Sequence, residues 1–258
     1  MLNKNKAIEY TPLYAEEIVL GDIPRDCHNI LDFGSGDGHF SNKLTKKADR
    51  VYACDTDRKA FTNNKENYHS IKFQKIGTNC RTKYKSNFFD IITLMGVLEH
   101  VEDERVLLKE LSRILKPGGR IYIYVINKGL LGFVDGGNLK FLFPGLHRFL
   151  WSLVYGKKSY ADEFINKESG EMFGDFTTNK KWHTHYTTTD IDVLKLGAHL
   201  TRRKVWYYGM FLPFLMLMEF AYITFFKKLN PFISWLLIKD SHQSYGALSY
   251  SMVVLYVK

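Results

Sequence analysis

Three glycines recur at alternate positions directly after an acidic residue near the start of the chain. The spacing is Asp32-x-Gly34-x-Gly36-x-Gly38, inside a stretch that begins with a short apolar run and continues into helix-forming sequence. Glycine suits a sharp strand-to-helix turn because a side chain would block a ligand from the backbone, and because some turn positions need positive φ. The first N–H groups of the next helix would face an anion. The pattern predicts a ligand loop, although any strand-to-helix turn is the plainer alternative.

The spacing of these glycines differs from that of dinucleotide-binding loops. The sequence G-x-G-x-x-G would require glycine at position 39, where the chain has His39. Asp55 ends the next apolar run, about twenty residues after the loop, where a carboxylate can accept hydrogen bonds from both hydroxyls of a ribose. An isolated Asp at a strand end can instead cap a helix, and Asp57 is also placed to cap the next one.

Short apolar runs alternate with helical patterns along the first half of the chain. This alternation predicts a parallel sheet with helices on both faces. The predicted strands are Ile30–Phe33, Val51–Cys54, Ile71–Ile76, Phe89–Leu94, Ile121–Ile126, Arg203–Tyr208 and Ser249–Val257. The predicted helices are Thr11–Leu20 (closed by Gly21), Phe40–Lys47, Asp57–Tyr68, Val101–Leu115 (stopped by Lys116-Pro117-Gly118-Gly119) and Thr187–Leu196.

The alternation breaks after Asn127, which predicts insertions in a single core. The expected divisions are a core over 1–127, an insertion or lid over 128–182, a return of the core over 183–208, an apolar helical insertion over 209–248, and the last core strand over 249–258.

Two longer motifs are more specific than the glycine turn. The first is Phe89-Asp90-Ile91-Ile92-Thr93-Leu94-Met95-Gly96-Val97-Leu98-Glu99-His100-Val101, and the second is Leu111-Ser112-Arg113-Ile114-Leu115-Lys116-Pro117-Gly118-Gly119. With the glycine turn, they resemble class I S-adenosylmethionine-dependent methyltransferases, in particular those with a type 11-like domain. The resemblance covers about 29–125 and weakly 182–208. It implies an α/β fold: a doubly wound, mostly parallel, seven-stranded Rossmann-like sheet with the last strand antiparallel, and apolar helical insertions forming a cap.

The same resemblance implies a cofactor, S-adenosylmethionine, and the residues that hold it. It places Asp32 and the backbone of Gly34 and Gly36 at the methionine end, and Asp55 on the ribose. The full set of expected cofactor-binding residues is Asp32, Gly34, Ser35, Gly36, Asp55, Thr56, Thr78, Asn79 and Met95. One departure concerns the adenine, because the family usually has an acid where this chain has Thr78 and Asn79. The amide oxygen of Asn79 could accept the same hydrogen bond.

The candidates for acid–base work are His183, His185, Tyr186 and His100. The stretch 181–187 resembles a family segment in which a histidine lies over the acceptor pocket, and neutral imidazole can take a proton from a hydroxyl near pH 7. Alternatively, Thr187 to Thr189 cap the last helix and the two histidines lie in a surface loop. His100 is open to a packing role as well as to base catalysis. Methyl transfer depends largely on positioning and a dry site, so a dedicated base is not required.

Composition restricts the partners and the compartment. The chain has 36 Lys and Arg against 27 Asp and Glu, a net charge of +9, which suits nucleic acid or a membrane surface. Three scattered cysteines, Cys27, Cys54 and Cys80, support neither a disulfide framework nor a zinc site, and no metal is expected. The N-terminal sequence lacks the apolar region of a signal peptide, so we expect a cytoplasmic protein.

Two apolar segments suggest a hydrophobic acceptor or a membrane contact. Within the apolar insertion 210–238, residues 211–226 resemble a transmembrane span, but Pro213 and Glu219 interrupt the run, and a span needs about twenty apolar residues. Residues 139–155 are rich in aromatic and basic side chains, as interfacial helices are. Two interpretations stay open: a cap that only covers the acceptor site, and a cap that also makes a peripheral membrane contact.

The sequence therefore favours a methyltransferase that acts on a small or lipid-linked apolar acceptor, at oxygen. A nucleic-acid methyltransferase is the first alternative, but Met95-Gly96-Val97-Leu98 stands where such enzymes carry an N-P-P-Y-like stretch. A cofactor-binding protein without catalysis is the second alternative. The acceptor itself is not encoded in these motifs, because one scaffold supports many chemistries.

Overall fold

The chain divides into two compact units in a computed structural model, which describes residues 10–56, 69–132, 143–155, 184–226 and 228–258. The sheet unit consists of Ala15–Val125, Tyr186–Trp206 and Met252–Lys258. The helical unit consists of Met1–Tyr14, Ile126–His185 and Tyr207–Ser251.

Seven strands form one sheet in the order β3-β2-β1-β4-β5-β7-β6. The strands are β1 (Cys27–Phe33), β2 (Ala48–Asp55), β3 (Ile71–Lys75), β4 (Phe89–Met95), β5 (Leu115–Ile126), β6 (Thr201–Tyr208) and β7 (Ser251–Val257). The pairs β1–β2, β1–β4, β2–β3 and β4–β5 are parallel. The expected doubly wound sheet is confirmed.

The last strand runs against its neighbour β5. The N–H of Gly118 donates to the carbonyl of Lys258 at 2.9 Å, and the N–H of Asn127 donates to that of Tyr250 at 2.7 Å. Residue numbers rise along β5 in the direction in which they fall along β7, so the two strands are antiparallel. The antiparallel last strand agrees with the sequence-based expectation.

Continuous burial explains why the central strands form where they do. Ile30, Leu31, Ile92 and Leu94 are fully buried. Strands covered on both faces need such unbroken apolar runs, rather than alternation. Five of the described helices are α1 (Tyr10–Asp22), α2 (His39–Leu44), α3 (Glu104–Ile114), α4 (Pro144–Tyr155) and α5 (Thr188–Leu194).

Helix α3 shows how local sequence sets an element of the sheet unit. Asp103 caps it by accepting hydrogen bonds from the N–H groups of Arg105 and Val106. Leu107, Leu108 and Leu111 form its buried face, as the helical spacing predicts. The helix begins later than the predicted Val101, because a short 3₁₀ turn (Leu98–His100) and an extended segment precede it.

Two predicted helix ends were wrong. Helix α1 continues through Gly21 to Asp22 instead of closing there, since the N–H of Ile23 still donates to the carbonyl of Val19 at 3.1 Å. Helix α3 ends at Ile114, and strand β5 begins at once with Leu115. Pro117 disfavours helical geometry in Lys116, and the pairing with β4 jumps from Leu115 to Arg120, so the four residues between them form a bulge.

Helices α6 (Leu212–Phe226) and α7 (Pro231–Ser241) form a hairpin in the helical unit. They account for most of the predicted 209–248 insertion. Among the described residues, no helix is long and apolar enough to cross a membrane. The predicted helix Asp57–Tyr68 and most of the 128–182 insertion lie outside the described residues.

Candidate cofactor site

The loop after β1 is held by backbone hydrogen bonds to β2. The N–H groups of Gly34 and Ser35 both donate to the carbonyl of Cys54, at 2.8 and 3.1 Å. Gly34 has φ +75°, and a Cβ atom there would overlap the side chain of Val97. Glycine is therefore required at this position by both backbone conformation and packing.

Asp55 fastens the same loop from the end of β2. Its Oδ2 accepts a hydrogen bond from the N–H of Gly36 at 2.8 Å. Gly36 has φ +53°, and a Cβ atom there would meet nothing within 4 Å. The loop therefore presents its backbone beside a carboxylate at the carboxyl edge of the sheet, where ligands of open α/β sheets bind.

Asp32 is enclosed just before the loop. Its carboxylate accepts hydrogen bonds from the hydroxyls of Ser41 at 2.6 Å and Thr93 at 2.9 Å, and only 1% of the residue is exposed. Burial raises the pKa of Asp32 to about 6, although both hydroxyls favour the ionised form. A nearby cation would favour ionisation further.

Ser41 and Thr93 were not predicted as partners of Asp32. Thr93 is a fully buried polar residue between the apolar Ile92 and Leu94, directly opposite Asp32 in the β1–β4 register. A polar residue inside an apolar run was the available signal. Ser41 carried no such signal, because a serine in a short helix is ordinarily exposed.

A buried hydroxyl in the loop supports the presence of a ligand. Ser35 is 8% exposed, and no hydrogen-bond partner reaches its Oγ within the part of the chain that the structure describes. Buried polar atoms are rarely left unsatisfied. The orphan hydroxyl, the open space at Gly36 and the Asp55 carboxylate together fit a polar nucleoside ligand such as S-adenosylmethionine.

The expected adenine residues lie in an exposed turn after β3. The N–H of Cys80 donates to the carbonyl of Gly77 at 3.1 Å, and the N–H of Arg81 donates to Oδ1 of Asn79 at 3.2 Å. Oδ1 retains a second lone pair for a ligand. Thr82 fixes the turn to α3, because its N–H and hydroxyl both donate to Oε1 of Glu110, at 2.9 and 2.6 Å. Neither Thr82 nor Glu110 was predicted.

Met95, Thr56 and His100 follow the carboxyl ends of strands. Thr56 directly follows β2, and Met95 ends β4; both are half-buried. His100 is half-buried in the 3₁₀ turn after β4, with its N–H donating to the carbonyl of Val97 at 3.0 Å. The structure thus brings the cofactor candidates of β1, β2 and β4 to one edge of the sheet.

The remaining candidates lie in the segment before α5. The Tyr186 hydroxyl is buried, 3.1 Å from the carbonyl oxygen of Leu98 and 3.0 Å from Oε1 of Glu104, and can donate its proton to either. It therefore anchors the segment to the turn that carries His100. Thr187 and Asp190 form a reciprocal capping box at α5, as the capping alternative predicts.

The two histidines of this segment were predicted to lie near the acceptor. His185 is half-buried and belongs to the helical unit, where a Cβ atom at Gly132 would lie 3.5 Å from its Nδ1. His183 lies outside the described residues. The catalytic role of both histidines stays a prediction.

Part of the chain is similar to known methyltransferases. A family described as "Methyltransferase domain" matches residues 31–123. The ubiquinone biosynthesis O-methyltransferase of Colwellia psychrerythraea is 31% identical over 109 residues, which cover 41% of this chain and 44% of the relative. The demethylmenaquinone methyltransferase of Streptomyces griseus is 32% identical over 99 residues, covering 38% and 43%. The matches thus span about half the length of the first such relatives.

Solved structures extend the likeness in fold to almost the whole chain. An S-adenosylmethionine-dependent methyltransferase from Thermotoga maritima, described as a possible histamine N-methyltransferase, matches with a TM-score of 0.56 at 15% identity. The match covers 98% of this chain and 92% of that protein. Residues 31–123 therefore match a methyltransferase domain, and the chain has the Rossmann-like fold of the solved methyltransferase structure.

Proposed function

We propose that the protein transfers the methyl group of S-adenosylmethionine to a small acceptor. The observation that carries this proposal is the arrangement at the carboxyl edge of the sheet. There, Asp55 lies 2.8 Å from the N–H of Gly36, beside the orphan hydroxyl of Ser35. The carboxylate suits the hydroxyls of a ribose, and the unpaired hydroxyl suits a charged amino-acid group. A purely structural turn would need neither of these groups.

Each residue of the site has a defined task in this proposal. Asp55 accepts hydrogen bonds from the ribose hydroxyls, and Ser35 donates one to the methionine end. Asp32 provides negative charge behind the loop for the cationic ligand, while Asn79 accepts a hydrogen bond from the adenine amino group. S-adenosylmethionine supplies an activated methyl group on sulfur, and the protein orients it for an in-line displacement.

We further propose that the acceptor atom is oxygen and that the acceptor has an apolar portion, small or lipid-linked. The name of the Colwellia psychrerythraea relative supports oxygen, since it is an O-methyltransferase, and the names of both relatives refer to quinones, which supports an apolar acceptor. A hydroxyl acceptor loses a proton on methylation, and a histidine near the acceptor could accept this proton as a general base.

His100, His183 and His185 are the proposed candidates for accepting that proton. Tyr186 acts as a positioning residue, because its buried hydroxyl lies against Leu98 and Glu104. If a histidine is the base, its replacement by asparagine lowers kcat much more than it changes the KM for the acceptor. If all three variants keep the kcat of the unaltered protein, positioning alone supplies the rate.

Two measurements test the proposal in sequence. Calorimetry with S-adenosylmethionine and its demethylated product is expected to show saturable binding, and Asp55→Ala is expected to lose it. Radiolabel from the methyl group is then followed into a prenylated catechol, a water-soluble catechol and a mixed RNA sample. We expect label in a catechol and none in RNA. Binding without transfer to any acceptor would favour the non-catalytic alternative, and label in RNA would favour the nucleic-acid one.

A further inference from the structure

Helices α6 and α7 carry apolar side chains on the faces that they turn to solvent. On α6 four exposed apolar positions follow the repeat i, i+3, i+4 and i+11, which places them on one face: Phe214, Leu217, Met218 and Phe225. Phe225 is 72% exposed. On α7 a spacing of three residues exposes Phe232, Trp235 and Ile238. Helices on the surface of soluble domains normally show the opposite pattern.

The acids of the hairpin are buried and are used to hold it together. Oε1 of Glu219 accepts hydrogen bonds from the N–H of Asn230 at 2.9 Å and the hydroxyl of Ser234 at 3.0 Å. Oδ2 of Asp240 accepts hydrogen bonds from the N–H groups of Met210 and Phe211, at 3.1 and 2.9 Å. Glu219 therefore joins α6 to the first turn of α7, and Asp240 joins the last turn of α7 to the residues just before α6.

The described bases of the hairpin are exposed. Lys228 lies between the helices, and Lys239 lies with its Nζ 4.3 Å from the centre of the Trp235 ring. Helix α4, in the same unit, has a similar composition, with Phe149 60% exposed beside the exposed Arg148 and no acid in its sequence. The described outward surface of these helices thus combines aromatic, aliphatic and cationic groups.

We propose that the outward face of the α6–α7 hairpin is a docking surface for anionic lipid bilayers. Aromatic and aliphatic side chains enter the boundary between headgroups and acyl chains, while Lys228 and Lys239 remain with the anionic headgroups. The 15 residues of α6 rise only about 22 Å, shorter than the roughly 30 Å hydrocarbon core, so the helix lies in the plane of the surface.

Charge favours a lipid partner over a second copy of the chain. In a two-fold contact the same patch meets itself. Lysines would then face lysines, while the described acids of the hairpin are buried within it. An anionic bilayer supplies the missing counter-charge. This inference does not depend on the proposed reaction, since it concerns residues outside the cofactor site.

Vesicle flotation tests the docking surface without any cofactor or acceptor. The full chain is mixed with vesicles of phosphatidylcholine, alone or with phosphatidylglycerol. We expect binding to the anionic vesicles, and a loss on the order of tenfold in the double variant Phe225→Ser, Phe232→Ser. The matched control is Val193→Ser, Leu196→Ser, which removes two exposed apolar side chains from the sheet unit and should bind like the unaltered protein.

A second pair of variants tests the charge. Lys228→Gln, Lys239→Gln should remove most of the preference for anionic vesicles, as should high salt, whereas Lys83→Gln, Lys85→Gln in the sheet unit should not.

Failure of the unaltered protein to float with anionic vesicles would overturn the proposal. A dimer in light scattering that Phe225→Ser, Phe232→Ser dissociates, with no change in flotation, would overturn it too. Retained affinity for S-adenosylmethionine shows that each variant is folded and tests the proposed function separately.

Discussion

Each compact unit contains a pair of acidic side chains with defined hydrogen bonds, and the two pairs differ in what else can reach them. Asp32 and Asp55 lie at the carboxyl ends of adjacent parallel strands, and Asp55 is only half-buried. Glu219 and Asp240 are 0% and 6% exposed and bind groups of their own hairpin. An acid in an apolar run is therefore proposed to serve a ligand in the sheet unit, whereas in the helical unit it holds two helices together.

Replacement of one acid from each pair should give the largest contrast. Asp55→Ala removes the proposed charge-assisted acceptor for the ribose and the anchor of Gly36. We expect a loss of about 2–4 kcal/mol in the binding of S-adenosylmethionine, on the order of 30- to 1000-fold. Asp240→Ala leaves the N–H groups of Met210 and Phe211 without their acceptor and should lower stability by about 1–3 kcal/mol, with cofactor affinity unchanged.

Calorimetry and thermal unfolding of the same two variants separate these effects. Asp55→Asn keeps an acceptor oxygen without the charge, and should fall between the alanine variant and the unaltered protein. If Asp240→Ala weakened cofactor binding as much as Asp55→Ala does, the two pairs would not have separate tasks.

The pH dependence of Asp32 is expected to give the next largest effect. Burial raises its pKa from 3.8 to about 6 in the folded protein, so folding favours the protonated form. The contribution of Asp32 to the free energy of unfolding is fully present below about pH 4 and is lost as the pH rises through 6. The loss amounts to on the order of 3 kcal/mol. Asp32→Asn, which cannot ionise, should flatten this part of the pH dependence of urea unfolding.

Cofactor binding should depend on pH in the opposite direction. A cationic ligand favours ionised Asp32, so affinity for S-adenosylmethionine should rise between about pH 5 and pH 7 in the unaltered protein and not in Asp32→Asn. The exposed Asp37 in the same loop provides the control, as Asp37→Asn should keep both slopes. An unchanged stability profile in Asp32→Asn would show that Asp32 is not the titrating group.

A glycine from each unit provides a matched pair of smaller effects. Gly34 and Gly209 have φ of +75° and +60°, and a Cβ atom would overlap Val97 and Leu212 respectively. Alanine at either position should cost about 1–3 kcal/mol. We expect Gly34→Ala to weaken cofactor binding in calorimetry, and Gly209→Ala to lower only the melting temperature.

Two further variants separate strain from overlap at the loop. Val97→Ala combined with Gly34→Ala should recover part of the loss, because it removes the overlap and leaves the φ strain. Gly36→Ala has φ strain with open space around the Cβ atom, and should lose less free energy of unfolding than Gly34→Ala in the absence of ligand. Equal losses in both glycine variants would mean that Val97 does not constrain the loop.

The sheet and the cofactor loop were predictable because their signals are local. The Asp32 to Gly38 spacing, the acid at the end of β2 and the apolar runs each lie within a few residues of sequence. The interruption by Glu219 was also local, and it was interpreted as a break in an apolar run. Its burial depends on Asn230 and Ser234, more than ten residues later, which periodicity within one helix cannot reveal.

The errors at helix ends have a similar cause. Gly21 was predicted to close α1 because glycine often ends helices, but Ile23 continues the hydrogen bonding. Lys116 to Gly119 were predicted to form a plain stop, yet Gly118 and Gly119 exchange hydrogen bonds with Lys258 at the other end of the chain. This strand pairing joins residues about 140 positions apart, so the sequence near Lys116 could not predict it.

Two helix caps allow the smallest and most selective test of the contrast between the units. Oγ1 of Thr187 accepts a hydrogen bond from the N–H of Asp190 at 3.1 Å, and Oδ1 of Asn230 accepts from Phe232 and Ile233 at 3.0 and 3.1 Å. Alanine at either cap should cost about 1 kcal/mol, or roughly 2–4 °C in melting temperature. Thr187→Ala should also lower kcat, since Thr187 follows Tyr186, and leave vesicle binding unchanged.

Asn230, the N-cap of α7, allows the capping hydrogen bond to be kept while the charge is changed. Asn230→Asp keeps a capping oxygen, so the melting temperature should change little, but it adds a negative charge to a surface that otherwise presents lysines. Flotation with anionic vesicles should then fall several-fold, while Asn230→Ala should lose stability first and lipid binding only slightly. A carboxylate at position 230 should be repelled by anionic headgroups if this end of the hairpin lies against them. Equal binding of Asn230→Asp and Asn230→Ala to anionic vesicles would therefore mean that the exposed lysines of the hairpin do not contact headgroups.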